Sequence, residues 1–190
     1  LFIQKFSYKA GILLGLALYS LGALLFIPAA VTMEFIWFPL SLYILTFGLA
    51  FLETTANPYI LSMGDESTAT QRLNLAQAFN PIGSLLGMFV ASKLILANLS
   101  TSKFRTEQFN TNPQFETLSA NEVNLKISEA YNNFKIADPE LYAANQIADI
   151  AIIRNPYAIL GIVVLIMFFV FLIKKMPETG QKSNRTSALE

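Results

Sequence analysis

Hydrophobic and polar positions separate along this chain into long blocks. Ala10–Met33, Phe35–Leu52, Leu73–Ser92 and Asn155–Ile173 contain no Asp, Glu, Lys or Arg. Each block approaches or exceeds the roughly 18–20 apolar residues that carry a helix across a bilayer core about 30 Å thick. A buried helix in a water-soluble domain does not need that length. The pattern therefore predicts an all-α fold, a polytopic membrane helix bundle, with spans over 10–31, 36–62, 73–98 and 155–175. Residues 1–9 are expected to hold the end of a truncated span and a short basic loop. Residues 99–154 are too polar to span and read as an extramembrane loop. Within it, apolar residues recur every three or four positions around Ala120–Phe134 and Pro139–Ile153, which predicts short helices. Residues 176–190 form a polar tail.

The first span is rich in small residues: Gly11, Gly15, Ala17, Ser20, Gly22 and Ala23. Gly11 and Gly15 have the spacing that lets two helix backbones approach closely, here read as packing within the bundle. Trp37 suits an anchor at the membrane surface. The bases then set the orientation. Lys5 and Lys9, Arg72, and Lys174, Lys175, Lys182 and Arg185 fall on one side of four alternating spans. Glu34 and the acid-rich 99–154 loop fall on the other. The Lys/Arg bias puts the first side in the cytoplasm and the loop outside.

Composition narrows the chemistry. Charged residues make up 14% of the chain, against about 25% in an average soluble domain. Cysteine and histidine are both absent. Disulfides, thiol chemistry and the usual zinc ligands are thereby excluded, and neither a cofactor nor a metal is expected. Formal net charge is zero and no basic stripe exists, so nucleic acid is not an expected partner. An intramembrane enzyme would need a second catalytic group beside any buried acid, and the spans offer no His, Cys or paired acid. Any proton handling falls to carboxylates.

One carboxylate stands out. Glu53 lies in the second span, about 18 Å in from Asp65 at 1.5 Å per helical residue, near mid-bilayer. An ionised acid facing hydrocarbon there costs several kcal/mol, about 2.5 or more, so it should face a cavity or a partner. Withdrawal from water favours the neutral form of a carboxyl, and Glu53 is accordingly a candidate proton-coupling group. Asn57 sits one turn further on the same face. Pro58 follows it and loosens the helix locally, which suits a binding site or a hinge. In the third span Asn74, Gln77 and Asn80 make a polar stripe, and Asn80 precedes Pro81. Glu53, Asn57, Gln77 and Asn80 are the candidate solute-binding residues. Amides both donate and accept, as sugar hydroxyls require. Phe38, Phe47, Phe51, Tyr59 and Phe79 offer aromatic faces, most of them expected to pack or face lipid.

Two strings make the chain familiar: Phe51-Leu52-Glu53-Thr54-Thr55-Ala56-Asn57-Pro58-Tyr59, and Arg72-Leu73-Asn74-Leu75-Ala76-Gln77-Ala78-Phe79-Asn80. They resemble the fucose–galactose–glucose:H+ symporter branch of the major facilitator superfamily, nearest its L-fucose:H+ symporter permease group. The resemblance covers Phe2 to Leu96 and resumes over Ile152–Pro177. It implies helices three to six, in the N-terminal half, of a twelve-helix transporter. It implies proton-coupled symport of a sugar, L-fucose first and glucose or galactose as the alternative, across a bacterial cytoplasmic (inner) membrane. Glu53 would be the membrane acid of the fourth helix, and Gln77 and Asn80 sugar contacts on the fifth. The implied partners are the sugar, H+, the lipid bilayer and the missing remainder of the same transporter chain. The superfamily's usual Asp-Arg-x-Gly-Arg loop reads Gln4-Lys5-Phe6-Ser7-Tyr8-Lys9 here, basic but without the acid or the glycine.

Overall fold

The computed structural model describes residues 7–176; residues 1–6 of the expected 1–9 span end and loop, and 177–190 of the expected 176–190 tail, lie outside the described residues. Within them the chain is helical and contains no strand. In chain order the helices are α1 (Tyr8–Leu24), α2 (Phe26–Thr32), α3 (Trp37–Ser62), α4 (Ala69–Gln77), α5 (Phe79–Phe89), α6 (Ser100–Thr111), α7 (Ala120–Ala137) and α8 (Pro139–Ile173). Four helical stretches are long and apolar enough to cross a membrane: Tyr8–Thr32, Trp37–Ser62, Glu66–Asn98 and Pro139–Ile173. The helix placed by sequence at 155–175 is the second half of α8, which runs unbroken for 35 residues.

Prolines explain where two of these stretches are interrupted. Pro28 cannot donate to the carbonyl of Leu24, and α1 ends at Leu24. Pro81 cannot donate to the carbonyl of Gln77, and α4 ends at Gln77. Helix resumes at once in both cases. Pro58 and Pro156 are instead carried inside α3 and α8. Pro139 opens α8, where its missing N–H costs nothing. Beyond α5 the third stretch continues through a π-helical turn at Val90–Ile95 and a short 3-10 turn at Leu96–Asn98.

The described residues form two compact units, 7–84 with 156–176, and Leu85–Asn155. In the first, α1 packs along α3 through small residues. A Cβ added at Gly11 would lie 2.6 Å from Thr55 Cγ2, and one at Gly15 would lie 2.7 Å from Leu52 Cγ. At Gly22 and Gly48 it would overlap the backbones of Leu45 and Tyr19. These glycines are what allow backbone to meet backbone. α8 joins α1 by different means. Ser20 Oγ, buried, donates to the Gly161 carbonyl at 3.2 Å. Phe26, at the start of α2, stacks on Tyr157 with centroids 3.9 Å apart. Lys9 Nζ donates to the carbonyls of Leu172 and Lys174 at 2.8 and 2.9 Å, placing a cation at the negative end of α8.

The second unit holds α6, a 3-10 turn at Pro113–Thr117, α7 and the start of α8. Its small core joins Phe115, Val123 and Ile127, with Phe104 and Leu118 against them. Ser119 and Glu122 form a capping box at the start of α7. Asp149 accepts from the backbone N–H of Ser100 at 2.8 Å, satisfying a donor at the start of α6.

Candidate functional site

The second span shows two faces. Ser41, Gly48, Thr55 and Tyr59 recur at steps of seven, seven and four and are buried. Gly48 and Thr55 abut α1. Glu53 lies about 200° around the helix from Thr55 at 100° per residue, and Asn57 is about 40° from Glu53. The acid and its amide neighbour therefore project away from the α1 contact. Glu53 is exposed and Asn57 half-buried in this segment. The sequence reading expects this carboxyl to face a cavity or a partner; among the described residues it lies on an open face.

Arg72 fixes the next turn of chain. Its guanidinium donates to the carbonyls of Ile60 and Leu61 at 3.4 Å and to that of Asp65 at 2.9 Å. A further bond runs to Thr68 Oγ1 at 2.5 Å. Carbonyls at the end of α3 have no intrahelical partners of their own, and the cation complements the helix dipole there. Asp65 caps the following turn by accepting from the Ser67 N–H at 3.0 Å. The backbone N–H and hydroxyl of Ser67, and then Arg72, hold the Asp65 carboxyl below its ordinary range. Gly64 turns the corner with φ +68°, where a glycine has no side chain to clash.

This corner sets the register of the α3–α4 hairpin. From Ile60–Leu61 back to Glu53, and from Arg72 on to Asn80, the chain travels about 11 and 12 Å at 1.5 Å per residue. Glu53 and Asn80 thus lie within about one helical turn of the same depth. α4 packs against α3 and carries Asn74 and Gln77. Asn80 follows the break at Ala78, in α5. Gln77 and Asn80 are both exposed. The side chains of Glu53, Asn57, Gln77 and Asn80 make no hydrogen bond to other described residues, so their donors and acceptors stay free for a ligand.

The Pro81 break has chemical consequences. It leaves the Gln77 carbonyl without its helical donor beside two free amides. Non-helical backbone at membrane depth is tolerated where it lines a cavity or is buried in protein. The sequence pattern predicts one span over 73–98, whereas α4 ends at Gln77; the Asn80-Pro81 pair is the sequence signal of this break. Two surface clefts of about 340 and 500 Å³ lie among residues of the Leu85–Asn155 unit, and neither is lined by the four candidate residues. Among the described residues no group of three Asp, Glu, His or Cys could hold a metal ion.

Known proteins resemble the chain over most of its length. No family model matches the chain. It is 52% identical to the L-fucose-proton symporter of Haemophilus influenzae over 192 residues, which is 98% of this chain and 40% of the relative. It is 34% identical to the L-fucose-proton symporter of Escherichia coli, over 98% of this chain and 36% of that protein. A glucose/galactose transporter of Brucella abortus is 36% identical over 55% of this chain and 26% of its own length. A crystal structure of the E. coli fucose:proton symporter superposes with a TM-score of 0.64 at 31% identity, covering 93% of this chain and 37% of that one. A second crystal structure, described as a major facilitator superfamily transporter in the outward conformation, gives 0.63 at 32% identity. The chain spans about 40% of the first of these relatives. All these relatives carry the names of transporters, not of enzymes.

Proposed function

We propose, from the premise that this chain is a segment of a fucose-type symporter of the major facilitator superfamily, that the intact protein couples sugar uptake to proton entry by alternating access. L-fucose is the favoured sugar. The observation that carries this choice is the extent of the match. The L-fucose-proton symporters align over 98% of the chain, the 99–154 region included, whereas the glucose/galactose transporter aligns over 55%. In this reading Glu53 carries the coupled proton, and Asn57, Gln77 and Asn80 contact the sugar beside it. Protonation changes the charge of Glu53, and with it the relative free energy of inward- and outward-open states. A ligand shifts such a balance only through different affinities for the two states. The bacterial cytoplasmic membrane, with the bases of the short loops inside, is the proposed location.

The test is uptake of labelled L-fucose into vesicles carrying the intact protein, with and without an inward pH gradient. Accumulation should require the gradient, and unlabelled L-fucose should compete better than D-galactose or D-glucose. Stronger competition by D-glucose or D-galactose would move the assignment to a glucose/galactose transporter. Accumulation indifferent to the gradient would remove proton coupling.

A further inference from the structure

Serine and threonine hydroxyls along α3 follow one habit, with one exception among the described residues. Ser41 donates to the Trp37 carbonyl at 2.6 Å, Thr54 to Ala50 at 3.0 Å, Thr55 to Phe51 at 2.7 Å and Ser62 to Tyr59 at 2.8 Å. Each returns its proton to the preceding turn, as hydroxyls in membrane helices do when hydrocarbon offers no other acceptor. Thr46 does not. Its hydroxyl makes no hydrogen bond to any described residue, and the side chain is exposed.

Position gives the exception meaning. Thr46 is seven residues before Glu53, so it lies about 20° from it around the helix. Thr46, Glu53 and Asn57 form one polar line on the face turned from α1. Thr46 is about 14 Å in from Trp37, and Glu53 about 14 Å in from Ser62, so the two bracket the middle of the span. The Lys/Arg bias puts the Trp37 end outside. A free hydroxyl at that depth is costly against lipid and useful against water or a solute hydroxyl.

We infer that Thr46 lines the solute pathway on the external side of Glu53 and hydrogen-bonds the sugar before it reaches the acid. The inference rests on the sugar-symport reading and adds a binding residue to it.

A thiol at this position tests the assignment in the intact transporter, on a background free of other reactive thiols. Thr46→Cys should react with an externally added, charged methanethiosulfonate, and saturating L-fucose should slow that reaction about tenfold or more. Ser41→Cys, on the buried face, should stay unmodified. If Thr46→Cys reacts only with a lipid-soluble maleimide, the side chain faces hydrocarbon and the assignment falls. If the charged reagent reacts but L-fucose gives no protection in vesicles that still accumulate L-fucose, the assignment falls and the transport reading stands. If vesicles carrying the parent protein accumulate no sugar, the transport reading falls and takes Thr46 with it. A second arm avoids the reagent. Thr46→Val should raise the half-saturating L-fucose concentration about three- to tenfold, the worth of one neutral hydrogen bond, while Thr46→Ser stays near the parent. Equal behaviour of the Val and Ser variants would overturn the proposal.

Discussion

Gly11 with Gly15 in α1 and Gly83 with Gly87 in α5 share the same four-residue spacing, yet they meet opposite surroundings. Cβ atoms at the first pair would sit 2.6 and 2.7 Å from α3 side chains. At the second pair they would meet nothing within 4 Å among the described residues. The spacing gives a helix a smooth face; whether another backbone lies against it depends on the rest of the fold. The same split divides α3 itself. Its buried line of Ser41, Gly48, Thr55 and Tyr59 meets small residues, and its open line of Thr46, Glu53 and Asn57 carries the free polar groups. Packing residues and exposed polar groups occupy separate faces of one helix.

That contrast can be broken most sharply at the glycines. Gly48→Val forces a side chain against the Tyr19 backbone and should cost about 3 kcal/mol or more, read as loss of the folded helical state on thermal unfolding in detergent. Gly87→Val in the same 190-residue chain should change stability by about 0.5 kcal/mol or less. Equal losses at the two sites would mean that α5 is packed after all. Next in size is Arg72→Ala, which strips the end of α3 of its donors and should lower stability by about 1–3 kcal/mol. Arg72→Lys should recover part of it, because one ammonium cannot reproduce the guanidinium fork. Full recovery would show that charge alone matters there.

The smallest effect lies in the other unit, at the capping box of α7. The Ser119 hydroxyl and backbone N–H, and then Lys126, hold the Glu122 carboxyl below its ordinary range. A lowered carboxyl stabilises the fold above its unfolded-state titration, and that contribution is lost as pH falls through the folded-state titration. Amide protection at the start of α7, corrected for intrinsic exchange, should therefore weaken in acid. Glu122→Gln should flatten the dependence, and an unchanged acid profile in that variant would discard the cap as its source.

Much of this organisation is legible along the chain. Charge-free blocks mark the four membrane stretches because a charge facing hydrocarbon is costly and is kept only where a cavity or partner receives it. The depth and shared face of Glu53 and Asn57 follow from helical geometry alone. The break at Ala78 is harder to read, since Pro81 ends α4 while Pro58 sits inside an unbroken α3. Proline removes one donor in both places; neighbours decide whether the helix tolerates it. Thr46 escapes notice for a different reason. A threonine in an apolar span ordinarily satisfies itself, and only coordinates show which one does not. Nor does spacing reveal that the Arg72 guanidinium reaches back across the corner to Ile60 and Leu61.

The most direct test lies at Glu53. In vesicles carrying the intact protein, Glu53→Gln keeps the shape of the side chain and removes its exchangeable charge. Accumulation of L-fucose driven by a pH gradient should vanish, while sugar-for-sugar exchange across the membrane persists. Undiminished gradient-driven accumulation in that variant would contradict the assignment of the coupled proton to this face of α3.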